Sequence, residues 1–285
     1  MKRFKLFLSY CLILATVISA CGKDDDDSQV DSPIENPSSA LANVDVTVTK
    51  YAYALGERAA SGNKYEVHHY NAEGLLLVSE MYHFGVHNSD TPFKYEYKYD
   101  SSNRVIEKKD GNFNYTYKYT YTEFDSVATQ SKYDSKDGSI KERITNTYDE
   151  QHRKVTANFE DALSPSLNTL TQYTYNDNIM TTVTKYVESN ELFGTSVYQF
   201  DVHGNIIQNN WTNGETGKES LIDKFEYDYN SDGSIKKIVD TIGLYGDITI
   251  YEYTYNNNGT INTIHVTITS SVSPVEYELV YTYAR

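Results

Sequence analysis

Ile250-Tyr251-Glu252-Tyr253-Thr254-Tyr255-Asn256-Asn257-Asn258-Gly259-Thr260-Ile261-Asn262-Thr263-Ile264 is the stretch whose reading decides the fold. Side chains on a strand alternate between faces, so Tyr251, Tyr253 and Tyr255 share one face and Glu252 and Thr254 the other. Tyrosine and threonine suit a pleated, half-buried surface. The three asparagines tolerate left-handed backbone, and Gly259 takes positive φ without a Cβ clash. After this turn Ile264, Val266 and Ile268 alternate strictly, whereas Ile261 is out of phase. The stretch predicts a β-hairpin with a bulge just after the turn.

The same unit recurs. Tyr70, Tyr99, Tyr121, Tyr148, Tyr175, Phe200, Tyr229, Tyr255 and Tyr283 each close a strand, at spacings of 22 to 29 residues. An Asn or Asp follows most of them. Gly74, Gly204, Gly233 and Gly259 sit four residues after the aromatic, with Asn103 standing in for glycine once. Leu75, Val105, Val127, Ile206, Ile235 and Ile261 open the return strands. A fixed period of this length signals a repeat architecture. The expected fold is all-β, an antiparallel up-and-down meander of about 17 or 18 strands. One hairpin cannot cover its own tyrosine face, so the sheet is expected to curve or partly close.

The pattern Tyr-Asp-x-x-Gly-x-Ile resembles the YD repeat of the Rhs and teneurin families, and that of small Bacteroidota surface lipoproteins carrying degenerate copies. Phe200-Asp201-Val202-His203-Gly204-Asn205-Ile206 and Tyr229-Asn230-Ser231-Asp232-Gly233-Ser234-Ile235 fit it best. The copies at Tyr121 and Tyr148 lack the glycine, and the copy at Tyr175 is one residue short. The resemblance covers residues 64–285 and implies a hairpin array. Large Rhs proteins build a closed shell around a toxin from such repeats. With about eight copies and no toxin-like extension, no such role carries over.

Lys2, Arg3 and Lys5 precede an apolar run from Leu6 to Ala20, too short for a membrane span and suited to a signal peptide. Ile18-Ser19-Ala20-Cys21 resembles a bacterial lipobox, which implies cleavage before Cys21 and lipidation of its sulfur. Gly22 departs from the inner-membrane retention signal. Lys23-Asp24-Asp25-Asp26-Asp27 resembles the acidic surface-export signal of Bacteroidota lipoproteins. The expected organisation is a signal peptide over 1–20, a lipidated Cys21 with a disordered acidic tether over 21–43, and a repeat domain over 44–285. Cleavage also removes Cys11, so no disulfide is available to the mature chain. Losing the three bases takes the formal charge from −15 to −18. A field that acidic does not grip nucleic acid.

Candidate sites follow from this frame. The Tyr-Asp turns should line one edge of the sheet and the variable loops the other, and variable loops on a regular scaffold are the usual place for binding. Trp211, Phe84, Phe193 and Tyr245 read as out-of-phase aromatics on that edge and are the expected ligand contacts. Asp125-Ser126-Val127 and Asp240-Thr241-Ile242 resemble a short Bacteroidota O-glycosylation motif, which marks Ser126 and Thr241. Asp228 to Ile235 opens like an EF-hand calcium loop, but its twelfth position is Val239 and strands flank it. His68, His69, His83 and His87 fit solvated positions better than a metal site. No cofactor, metal site or catalytic residue is expected, since no hydrolase or phosphate-binding motif occurs.

The sequence therefore points to an outer-membrane, surface-exposed lipoprotein acting as a non-enzymatic binding module for a glycan or a protein. The alternative is an assembly role, docking an envelope partner through the tyrosine-rich face or an edge strand. A membrane-embedded barrel is a third reading. Strand length allows it, but the tyrosine face lacks an aliphatic middle band.

Overall fold

The computed structural model describes residues 40–82, 92–243, 246–269 and 274–284. The strands are β1 (Asp45–Ala54), β2 (Glu57–Arg58), β3 (Asn63–Tyr70), β4 (Leu76–Met81), β5 (Phe93–Tyr99), β6 (Val105–Asp110), β7 (Tyr115–Tyr121), β8 (Val127–Asp134), β9 (Ile140–Tyr148) and β10 (Lys154–Asp161). They continue as β11 (Thr169–Asn176), β12 (Ile179–Tyr186), β13 (Leu192–Phe200), β14 (Ile206–Asn213), β15 (Glu219–Tyr229), β16 (Ile235–Ile242), β17 (Asp247–Tyr255), β18 (Ile261–Thr269) and β19 (Val275–Ala284). Every strand pairs antiparallel with its sequence neighbour from β3 to β19. β1 pairs with both β3 and β19, which closes the sheet into a barrel. β2 is a two-residue return against the end of β1, so 18 strands form the ring.

The bulge expected from Ile261 is present and recurs. Tyr255 pairs with Ile261 but Thr254 with Thr263, which leaves Asn262 as the extra residue. The same slip follows Tyr70, Tyr99, Tyr121, Tyr148, Phe200 and Tyr229. In the first copy the residue that opens the return strand is Leu76, paired with Tyr70, rather than Leu75. The side chain after the aromatic shapes the turn. Asn71, Asp100, Asp149 and Asp201 each accept backbone N–H bonds from the residues two and four ahead, at 2.8–3.0 Å. Copies lacking glycine keep this geometry, with Asp125 at φ 64° and His152 at φ 60°. The short copy at Tyr175 turns through Asp177 and Asn178 alone.

The closing tyrosines also tie one hairpin to the next. The hydroxyls of Tyr99, Tyr121, Tyr148, Tyr175, Tyr255 and Tyr283 donate to the carbonyls of Leu76, Val105, Val127, Lys154, Ile235 and Ile261 at 2.6–3.0 Å. Each acceptor lies at or near the start of an earlier return strand, so the bond crosses between repeats.

Register assigns the two faces. Tyr97, Lys108, Tyr117, Lys132 and Glu142 are successive cross-strand partners, as are Tyr253, Ile264, Leu279 and Lys50. This tyrosine face is the inner one. Burial pushes the hydroxyls of Tyr70, Tyr99, Tyr119 and Tyr227 up to about 12, and those of Tyr97, Tyr253 and Tyr281 further. The alternate face presents Lys98, Lys118 and Arg143 to solvent, with Glu107 half-buried among them.

Among the described residues only seven hydrophobic side chains are buried: Val44, Val46, Val48, Val67, Ile264, Val266 and Leu279. All lie at or beside the seam where β1 meets β3 and β19, and Tyr251, Tyr253, Tyr277 and Tyr281 pack against their cluster. Elsewhere the inner tyrosines are partly exposed. Eighteen strands at about 4.8 Å spacing and about 40° tilt make a perimeter of about 110 Å, wide enough for an aqueous lumen. The barrel thus has a fully buried apolar seam and a partly exposed, tyrosine-lined wall.

Candidate functional site

The two rims differ as expected. The Tyr-Asp turns line one, and the loops around 111–114, 135–139, 162–168, 187–191 and 214–218 line the other. The chain enters at the Tyr-Asp rim. Asn43 N–H donates to Asn71 O at 2.8 Å, and Asp45 pairs with Ala284.

Trp211 and Phe193 come together on the variable-loop rim. Their ring centroids are 6.5 Å apart, and Phe193 meets Tyr186 edge-on at 5.6 Å. Phe193 occupies a bulge, because Thr184 pairs with Gly194 while Lys185 pairs with Leu192. Gly214 N–H donates to Phe193 O at 3.0 Å, which holds that bulge against the end of β14. The indole lies against Gly194, where an added Cβ would sit 2.5 Å from Nε1. Ser196 and Ser220 flank Trp211 across the strands, and the indole is partly buried. Phe193 is 46% exposed. Asn213 shapes the adjoining loop by accepting from Glu215 N, Thr216 N and Thr216 Oγ1.

One expectation is corrected here. Trp211 is not out of phase. It continues the row Tyr173, Thr182, Ser196 and so belongs to the inner tyrosine face, at its rim. The bulge after Phe200, which leaves Ile207 as the extra residue of β14, displaced the sequence count. Tyr186, the third ring of the cluster, was missed because it reads as an ordinary strand tyrosine. Phe84, Tyr245, His83, His87, Cys21 and the acidic run lie outside the described residues.

The alternative docking surfaces are also corrected. Closure leaves no free edge among the described strands of the ring, and it turns the tyrosine face inward.

Other candidates fall into structural roles. His68 Nε2 lies 3.0 Å from Glu66 on the inner face, whereas His69 Nδ1 lies 2.7 Å from Asp45 on the outer face, so the two cannot share an ion. Asp232 accepts from Ser234 N and Oγ within an ordinary Tyr-Asp-type turn. Ser126 is in such a turn, with its N–H donating to Thr122 Oγ1 at 3.2 Å. Thr241 lies within β16, next to its last residue, with Asp240 buried beside it, so that tripeptide is not displayed as a unit.

The lumen wall carries its own charges. Lys50 Nζ lies 3.7 Å from the Tyr277 ring centroid, and Lys108 lies 4.3 Å from that of Tyr95. Burial holds both amines below the usual lysine range. Lys132 Nζ reaches Glu142 at 2.7 Å and the Tyr115 ring at 4.3 Å. Farther round the ring, Asp223 and Asp240 share the inner face, and among the described residues no base pairs with either.

A closed antiparallel barrel built from Tyr-Asp hairpins, with bulged return strands and tyrosine-to-carbonyl ties, defines a YD-shell wall. The teneurin YD-shell family model matches residues 42–281, and the chain belongs to that family. No curated protein is significantly similar in sequence. Among solved structures, a porin-like protein from Bacteroides uniformis ATCC 8492 is 12% identical with TM-score 0.41, over 84% of this chain and 95% of that one. A porin-like protein from Bacteroides vulgatus ATCC 8482 is 12% identical with TM-score 0.35, over 67% and 94%. The TcdB2-TccC3-Cdc42 structure is 11% identical with TM-score 0.35, over 82% of this chain and only 14% of that one.

Proposed function

We propose that the protein is a non-enzymatic binding module held at the outer membrane, on the cell surface, by a lipid on Cys21, and that its ligand is a glycan received at the variable-loop rim. The observation that carries this reading is the cluster of Trp211, Phe193 and Tyr186, with Phe193 exposed and the indole flanked by serines and a glycine. An exposed aromatic ring at a rim, such as Phe193, with partly buried rings beside it is suited to stacking on a sugar ring. The chain enters at the opposite rim, so a tether there leaves the variable loops pointing away from the membrane. The outer wall supports a barrel held outside the bilayer. It carries Lys94–Glu96, Lys98–Glu107 and Lys224–Glu226 pairs where a spanning barrel needs an apolar band.

The test is a glycan-array and polysaccharide-gel screen of the purified protein beside Trp211→Ala and Phe193→Ala. Retention on a glycan, lost in both variants with far-UV circular dichroism unchanged, is the expected outcome. Binding that survives both substitutions, or no binding across a broad panel, removes the glycan reading and leaves a protein ligand to be sought.

A further inference from the structure

We infer that Asp223, Asp240 and the side-chain oxygen of Asn209 form a calcium-type cation site on the inner wall of the barrel, across β14, β15 and β16. Asn209 and Asp223 are direct cross-strand partners. Asp240 pairs with Phe225, two residues along β15 from Asp223 on the same face, a diagonal separation of about 7–8 Å between backbones. Carboxylates at that spacing reach a common ion.

The feature that points to a ligand is unmet acceptor capacity. Asp240 is 7% exposed, and its Oδ1 has no hydrogen-bond partner. The Asn209 Oδ1 is likewise buried and unpartnered. Among the described residues no base pairs with either carboxylate. The adjacent Lys224 points to the outer face, where it pairs with Glu226 at 2.8 Å. A buried carboxylate without a donor or a counter-charge is costly, and a dication removes that cost for both groups at once.

The donor set selects the ion. Two carboxylates and an amide oxygen are hard ligands. Thr249, 6% exposed and directly across from Asp240, adds a neutral oxygen. With no imidazole or thiolate in the set, transition metals are disfavoured. The irregular geometry suits calcium better than magnesium, with lumen water completing the shell. No group of three His, Cys, Asp or Glu side chains suited to a metal occurs among the described residues. The affinity should therefore be modest, with Kd about 10⁻⁴–10⁻³ M, the range of extracellular calcium modules.

The chain supplies its own reporter. Trp211, the single tryptophan, lies two residues from Asn209 on the same face, about 7 Å along the strand. The test is titration of the full chain with calcium, read by Trp211 fluorescence, and with terbium, read by sensitised luminescence. The wild type is compared with Asp240→Asn, Asp223→Asn and the exposed turn variant Asp232→Asn. Saturable binding, weakened at least tenfold by Asp240→Asn and by Asp223→Asn but not by Asp232→Asn, is the expected result. Absence of saturable binding, or equal affinity in wild type and Asp240→Asn, overturns the site. The two acid variants are isosteric and remove buried charge, and circular dichroism checks that each remains folded.

Discussion

Without a divalent ion, Asp240 should make the barrel less stable as pH rises, and Asp240→Asn should abolish most of that loss. Burial, reinforced by Asp223, pushes the Asp240 carboxyl from 3.8 up to about 7. Every titratable group facing it on the neighbouring strands is acidic: Asp223 and Tyr227 on β15, Asp247 and Tyr251 on β17. The folded chain therefore keeps a proton that the unfolded chain releases near 3.8. Between about pH 4 and pH 7 the unfolded state binds fewer protons, so stability falls with rising pH and levels off above about 7. Asp223, also raised by burial, acts in the same direction. About three pKa units correspond to about 4 kcal/mol, and water in the lumen reduces that to an expected 2–4 kcal/mol, about the same order. Urea unfolding in EDTA, followed by Trp211 fluorescence and circular dichroism, should give similar stabilities for wild type and Asp240→Asn near pH 4. The variant should be ahead by about 2–4 kcal/mol at pH 8. Parallel stability curves for the two proteins from pH 4 to pH 8 would refute the reasoning.

Four further substitutions can be checked by the same unfolding assay. Ile264→Ala, at a seam position only 1% exposed, should cost about 2–5 kcal/mol. Gly194→Ala places a Cβ 2.5 Å from the indole nitrogen and 3.0 Å from Thr212 O, so it should cost about 1–3 kcal/mol and shift Trp211 emission. Tyr255→Phe removes the 2.7 Å bond to Ile235 O, and Asn71→Ala removes two turn-forming acceptor bonds. Each should cost about 1 kcal/mol without altering the circular dichroism spectrum.

Most of the wall was legible because its information is local. Alternation, the Asx turn and the out-of-phase Ile261 are set within about fifteen residues, and β17–β18 follows from them with the expected bulge. Closure was not legible. It depends on β1 meeting β19, and nothing near Val46 or Tyr283 distinguishes an edge strand from a joined one. The aromatic cluster was half legible. Trp211 and Phe193 stand out as residue types, but the extra residue Ile207 shifts the phase of β14 and hides which face the indole takes. Asp223 and Asp240 were invisible as a pair. They lie 17 residues apart in a chain with 40 acids, and only the register of β15 on β16 brings them to one face.

The location of the dry core follows from the one pairing that no turn supports. Hairpin neighbours in this ring are joined by short loops, so closing each contact costs little chain entropy. β1 and β19 are joined only through the whole domain, since Asp45 and its partner Ala284 are separated by nearly the full length of the repeats. Because closure entropy grows as the logarithm of loop length, that pairing costs about 3 kcal/mol more than a hairpin pairing. Val48, Ile264, Val266 and Leu279 are all at most 7% exposed and supply the compensation there. Each such burial contributes about 1.5–3 kcal/mol. The remaining strands, held by their turns and by tyrosine hydroxyls on neighbouring carbonyls, can leave their inner face polar and partly exposed. A wall that need not be an apolar core is free to carry lysines over aromatic rings, an unpaired acid pair and an aromatic cluster at its rim. The concentration of apolar residues at the seam is therefore what allows the rest of the lumen to be a binding surface.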